Sequence, residues 1–254
     1  MVITSVTNKK IIEYEKLKNS KYRKKERLFI VEGEHLVEEA YKNNRIKEVF
    51  VLENYDFKLD VPYTVVSPNV MKKMSSLDTI TNVIAICTYP SNNHIKGSHI
   101  LALDYIQDPG NLGTIIRSSL AFNIDTIILS NDSVDLYNSK VIRATQGMIF
   151  GINIVYGELK DNISNLKKDN YIIYGTDVNN GVNIKLIDKK ELKKYVLVMG
   201  SEGQGLSQNI KNLCDKFLYI NMNSKVESLN VGVATSILLY ELDNRWLYGL
   251  YKYW

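Results

Sequence analysis

The chain has 254 residues, 45% of them apolar and 24% charged, with a formal net charge of +4. That is ample for two small domains with cores of their own, and too apolar for a disordered chain. With no run of 18 apolar residues and no signal-like start, the expected location is the cytoplasm and no membrane partner is expected. Cys87 and Cys214 lie in no CxxC pair, so neither a disulfide framework nor a metal site is expected.

The charge is uneven. Residues 1–27 carry nine Lys/Arg against three Glu, leaving 23 against 25 for the rest. The excess is densest at "KYRKKER", which is the footprint of a polyanion binder or a solvated helix face. In chain order, "RLFIVEGEHLVEEAYKNNRIKEVFVLE" then reads as strand, helix, strand. "PYTVVS" and "NVIAICTY" bracket a short helical piece, "PNVMKKMSSL", and complete a small α/β domain over residues 1–93. "PSNNHIKGSH" is polar and turn-rich, a linker.

A second domain over residues 98–254 follows. Its apolar runs are "ILALDYI", "TIILS", "GINIVY", "YIIYGTD", "YVLVMG" and "KFLYINM", with helical patterns between several of them. Such alternation predicts an α/β fold whose mainly parallel sheet is covered on both faces, with ligands at the carboxyl ends of its strands.

Three strand-ending loops are candidates for chemistry. In "DPGNLGTIIR", Gly110 and Gly113 permit positive φ or close backbone approach, Asn111 is placed to cap the next helix, and Arg117 projects from it. In "VLVMGSEGQGLS" a buried strand runs into glycines, but the pattern is neither GxGxxG nor GxxxxGK[ST], and Glu202 would repel a phosphate. A neutral or cationic ligand such as S-adenosylmethionine fits better. In "YINMNSKVESLNVGVATSILLYE" Asn221, Asn223, Ser224, Ser228 and Asn230 crowd ahead of a helix that Ser228 or Asn230 would cap. His35, His94 and His99 lie outside all three loops, which argues against a Ser/His/Asp hydrolase or a His metal site.

These loops, in this order, resemble the motifs of the TrmH/SpoU family of RNA ribose 2′-O-methyltransferases, of the SPOUT class. "LDYIQDPGNLGTIIRSSLAF", "VLVMGSEGQGLS" and "ESLNVGVATSILLYE" carry the resemblance, supported by "VDLYNSKVIRATQGMIF". The segment around "FIVEGEHLVEEA" resembles the ribosomal-protein-like substrate-binding domain of many members. The resemblance implies S-adenosylmethionine-dependent methylation of a ribose 2′-hydroxyl in structured RNA, with 23S-type rRNA favoured over tRNA. It also implies a homodimer and a deep trefoil knot in the C-terminal domain, a topology sequence rules alone would not propose. A non-catalytic RNA-binding or ribosome-assembly protein on the same fold is the rival.

Carried over by residue, the resemblance puts the catalytic set at Asn111, Arg117, Glu202, Ser228 and Asn230. Cofactor contacts fall on Thr176, Gly200, Ile220, Met222 and Leu229. Arg23, Lys24, Lys25 and Arg27 become candidate RNA contacts. Asn221 and Gly232 depart from the family, which often has Pro and Ser at these points.

Overall fold

The computed structural model describes residues 2–91, 94–177, 181–201 and 203–243. In chain order the first elements are β1 (Val2–Ile3), α1 (Lys9–Glu15), α2 (Ser20–Glu26), β2 (Leu28–Glu32), α3 (Glu34–Lys42), β3 (Ile46–Leu52), β4 (Tyr63–Val66), α4 (Pro68–Met74) and β5 (Val83–Thr88). Next come β6 (His99–Leu103), α5 (Pro109–Ala121), β7 (Thr126–Ser130), α6 (Ser139–Ala144), β8 (Asn153–Gly157) and α7 (Leu159–Lys168). The last are β9 (Ile172–Thr176), β10 (Val182–Asn183), β11 (Tyr195–Met199), α8 (Gln208–Lys211), β12 (Lys216–Tyr219) and α9 (Val231–Leu242).

The chain forms two compact units, and a single cut does not separate them. Residues 1–92 and 135–151 make the first, and residues 93–134 and 152–254 the second. The domain division expected from the sequence, 1–93 and 98–254, placed 135–151 with the C-terminal part.

In the first unit the strands run β1-β4-β3-β5-β2. Strand β5 is antiparallel to both β2 and β3, whereas β4 is parallel to β3 and to β1. The core gathers Ile11 and Leu17 from the basic N-terminal segment, Ile30, Phe50 and Ile84 from the sheet, and Val70, Met71 and Met74 from α4. The 135–151 segment enters through aromatic packing: Tyr137 stacks on Tyr89 with ring centroids 3.9 Å apart and packs on Phe29 at 4.6 Å.

The segment also changes the meaning of one basic residue. Arg23 is only 5% exposed. Its guanidinium donates to the Leu17 and Lys18 carbonyls at 2.7 and 2.8 Å and to Asp135 Oδ2 at 2.5 Å. A buried cation survives only when paired and hydrogen-bonded, and here all its bonds are internal. Arg23 is therefore corrected from a candidate RNA contact to a structural residue, while Lys24, Lys25 and Arg27 are exposed.

In the second unit seven strands run β10-β12-β9-β11-β6-β7-β8, and every pairing is parallel. Both faces are covered, as the near-continuous apolar strands require. Ile100, Ala102, Val196 and Val198 share one core with Leu159, Ile163 and Leu166 of α7 and Ile210 of α8. Their neighbours Leu101, Leu103 and Leu197 point to the opposite face and are equally buried. Helix α7 falls where the sequence reading named no element. Burial pushes the Cys87 thiol up, and burial with Asp215 nearby pushes that of Cys214 up to about 11, so both stay protonated near neutrality. No helix among the described residues is long and apolar enough to cross a membrane.

Replacing Arg23 by Met removes the fork while leaving Asp135 and two carbonyls without their partner. Urea unfolding should show a loss of about 3 kcal/mol, against less than about 0.5 kcal/mol for Lys24→Gln or Lys25→Gln on the surface.

Candidate active site

The carboxyl ends of β9, β11 and β12 and the start of α9 enclose a cavity of about 350 Å³. Its wall includes Thr176 at the end of β9, Met199 and Gly200 after β11, Ile220 and Met222 after β12, and Ser228, Leu229 and Val231 leading into α9. All five residues expected at the cofactor, Thr176, Gly200, Ile220, Met222 and Leu229, are thus brought to one cavity, together with Ser228.

One glycine is decisive for its shape. A Cβ on Gly200 would lie 2.1 Å from the Gly205 carbonyl carbon and 2.4 Å from the Leu206 amide nitrogen, all backbone that cannot move aside. Two hydrogen bonds close this loop, Ser201 N to Gly205 O at 3.2 Å and Gly205 N to Ser201 O at 2.9 Å. Gly205 itself holds φ +65°, a conformation open to glycine at no steric cost. The two ends of the loop are thus tied to each other, with Gly200, Ser201, Gly205 and Leu206 lining the cavity.

The remaining lining is chemically mixed. Leu206, Leu218, Ala234 and Leu238 give apolar walls, while Asp177, Ser201 and Lys211 give polar ones. None of the turn, loop and cap hydrogen bonds among the described residues uses the backbone amides of Ile220, Met222 or Leu229. Apolar walls with a few convergent polar groups suit a ligand that has a flat heterocycle needing edge hydrogen bonds. Asp177, Ser201 and Lys211 were missed in the sequence. Only their position one or a few residues beyond apolar strands could have marked them.

The first loop differs from expectation at its cap. Asp108, not Asn111, is the N-cap of α5: its Oδ1 accepts the Asn111 amide at 2.8 Å, and Pro109 takes the first helical position. Neither Gly110 nor Gly113 has a positive φ, since both lie inside the helix. Relieved of capping, the Asn111 side chain accepts at Oδ1 from Asn230 Nδ2 at 2.9 Å. Asn230 is the N-cap of α9, its Oδ1 accepting from the Gly232 and Val233 amides at 3.0 and 3.2 Å.

Below this bond α5 and α9 lie side by side. Ser118 and Ser236 hydroxyls meet at 2.6 Å, and Phe122 packs edge-on to Tyr240 at 5.7 Å. A Cβ on Gly232 would lie 3.3 Å from the Thr114 side chain, so the departure from the family's Ser permits a close approach here. Arg117 is exposed on α5, and its side chain has no ion pair or hydrogen bond to another described residue. Glu202 lies outside the described residues. No group of three or more His, Cys, Asp or Glu among the described residues could hold a metal ion.

Residues 98–240 match the SpoU rRNA Methylase family and residues 8–85 the MRM3-like substrate binding domain. The chain belongs to the SpoU rRNA methylase family. Among its relatives is the 23S rRNA (guanosine(2553)-2′-O)-methyltransferase RlmP of Bacillus subtilis, 34% identical over 94% of this chain and 98% of the relative. Among solved structures, the AdoMet-bound rRNA methyltransferase from Sinorhizobium meliloti superposes with a TM-score of 0.84 at 27% identity, covering 99% of both chains. An RNA 2′-O ribose methyltransferase superposes with a TM-score of 0.82 at 25% identity, covering 97% of this chain and 100% of the other.

Separate substitutions divide the two roles of Asn230. Asn230→Ala should cost about 1 kcal/mol in urea unfolding through the lost cap, whereas Asn230→Ser keeps a capping oxygen and stays within a few tenths of wild type. Both remove the amide that holds Asn111, so both should lower methyl transfer from labelled cofactor, the Ser variant doing so with its stability intact.

Proposed function

We propose that this protein transfers a methyl group from S-adenosylmethionine to a ribose 2′-hydroxyl of 23S-type ribosomal RNA. The observation that carries the reading is convergence: the cavity at the strand ends and the Asn111–Asn230 pair share the 228–231 segment, with Arg117 exposed on the same helix as Asn111. The activity named for the Bacillus subtilis relative and the AdoMet bound in the Sinorhizobium meliloti structure support it.

The residues fit the cofactor. A cavity of about 350 Å³ lies within the range of small-ligand sites. The amides of Ile220, Met222 and Leu229 are placed to meet an adenine edge, while Lys211 and Asp177 complement the carboxylate and amine of an amino-acid end. Bound there, S-adenosylmethionine supplies an electrophilic methyl group on a sulfonium.

The chain's own part is placement and charge. The reacting hydroxyl would have to lie in line with the methyl group and pass its proton to water as the C–O bond forms and the S–C bond breaks. A guanidinium does not deprotonate in proteins, so Arg117 acts as a fork that grips an RNA phosphate and stabilises charge developing on the ribose oxygen. Asn230 orients Asn111, and Asn111 orients the nucleotide beside Arg117. Ser228 and Glu202 complete the catalytic set. Lys24, Lys25 and Arg27 contact RNA phosphates; of these Arg27 also donates to the Pro90 carbonyl at 2.7 Å and lies over the Tyr89 ring.

A homodimer and a trefoil knot belong to the same proposal. Val233 and Tyr240 on α9 are 46% and 64% exposed, an apolar face that a second copy would cover.

The reading is tested by incubating the protein with methyl-labelled S-adenosylmethionine and rRNA from a strain lacking the gene, then mapping 2′-O-methyl sites; absence of label in rRNA and ribosomal subunits would overturn it. Arg117→Lys keeps the charge but loses the fork, so single-turnover transfer should fall at least about 10²-fold with cofactor affinity unchanged. Replacing Lys24, Lys25 and Arg27 together by Gln should reduce the slope of log binding constant against log salt by about 2, as measured by filter binding.

A further inference from the structure

On the second unit's sheet, at the carboxyl ends of β6, β7 and β8, lies a polar cavity of about 140 Å³ that the proposed reaction does not use. Tyr105 is at its edge, directly after β6, and is 48% exposed. Its φ is +64°, in the left-handed region. For a bulky aromatic residue that conformation is unusual and strained, and it persists only where the surroundings impose it.

The surroundings do impose it. The Asp104 amide donates to the Met199 carbonyl at 2.8 Å, and the Tyr105 amide to Ser130 Oγ at 3.0 Å. The Ile106 amide donates to Ser133 Oγ at 3.2 Å, the two serine hydroxyls bond each other at 2.8 Å, and the Val134 amide returns to the Ile106 carbonyl at 2.8 Å. Gln107 donates to the Asp132 carbonyl. Residues 104–107 are thus tied from both sides, and what the clamp produces is an aromatic ring held out into solvent. The half-exposed ring therefore stands at the mouth of the cavity, where an incoming planar group can stack on it.

The same backbone leads in both directions to the proposed active site. Asp104 Oδ2 accepts the Ser207 amide at 3.0 Å, just beyond the loop that shapes the cofactor cavity, and Asp108 opens the helix bearing Asn111 and Arg117. The cavity beside the ring is lined by one cation, Lys160, and by Asp132 and Glu158, two exposed carboxylates with no ion pair or side-chain hydrogen bond to a described residue. Carboxylates are wrong for phosphate but accept from the N–H groups of guanine and cytosine edges. Unstacked RNA bases are held by stacking on aromatic rings and by hydrogen bonds to their edges.

We infer that this cavity is a base-binding subsite for the RNA substrate, with Tyr105 as the stacking platform and Asp132 and Glu158 as acceptors for a base edge bearing N–H donors. The inference rests on the methyltransferase reading above, and its test reads binding separately from transfer.

The test is filter binding of unmodified large-subunit rRNA at about 0.2 M salt, where phosphate contacts are weakened. Tyr105→Gly removes the ring and suits a φ of +64°, so the fold and S-adenosylmethionine binding should be retained while RNA affinity falls about tenfold, within the range for one stacked base. Tyr105→Phe keeps the platform and should bind within about twofold of wild type. Asp132→Ala with Glu158→Ala gives a sign test: a surface near phosphates alone would bind more tightly after losing two negative charges, whereas a base-edge acceptor pair binds more weakly. Wild-type affinity in Tyr105→Gly, equal losses in Gly and Phe, or tighter binding in the double variant would overturn the subsite. Transfer of label with Tyr105-independent binding would sink the subsite alone; Tyr105-dependent binding without transfer would sink the methyltransferase reading and leave the subsite standing.

Discussion

The side chain of Asn230 makes the contacts on which the candidate site depends. Its oxygen ends α9 by accepting two backbone amides, and its nitrogen donates to Asn111 on α5. An amide is the smallest side chain that offers acceptor and donor from one rigid plane. Because the oxygen is committed to the cap, the nitrogen's direction is set, and with it the position of Asn111. The pairs Ser118 with Ser236 and Asn123 with Asp243 hold the two helices together farther along. Gly232 allows them to approach closely just after the cap. Arg117 is therefore carried on a helix whose orientation is fixed at several points, which suits the two-bonded grip on a phosphate proposed for it.

The sheet beneath supplies rigidity of another kind. Its strands are apolar on both faces, so polar groups are displaced to the strand ends, where the chain turns towards helices. Thr176 ends β9, Gly200 and Ile220 directly follow β11 and β12, and the parallel register brings those ends to one edge. The clash that a Cβ on Gly200 would create shows how tightly the loop is folded.

The first unit illustrates how charge misleads when read without burial. Nine cations in 27 residues look like a uniform RNA-facing patch. One of them, Arg23, spends its guanidinium on two carbonyls and on Asp135, which is 112 residues away. The same segment brings Tyr137 onto Phe29 and Tyr89. Residues 135–151 thus belong to the SpoU family match by sequence and to the N-terminal unit by packing.

Most strands and the main helices of both units were legible in the sequence, because apolar runs and their periodicity report burial directly. The three loops were legible as ligand-facing because glycines and small polar residues gather where strands end. Asp108 as the cap of α5 was readable too, from an Asp followed by Pro, but Asn111 drew attention from it. Tertiary structure alone decided that Asn111 pairs with Asn230, that Arg23 is buried, and that Tyr105 is held in a left-handed conformation. The division has a physical cause. Periodicity, capping and turn chemistry act within a few residues and leave marks in the local sequence, whereas a hydrogen bond across 119 positions or a strained φ imposed by distant serines exists only once the chain has folded.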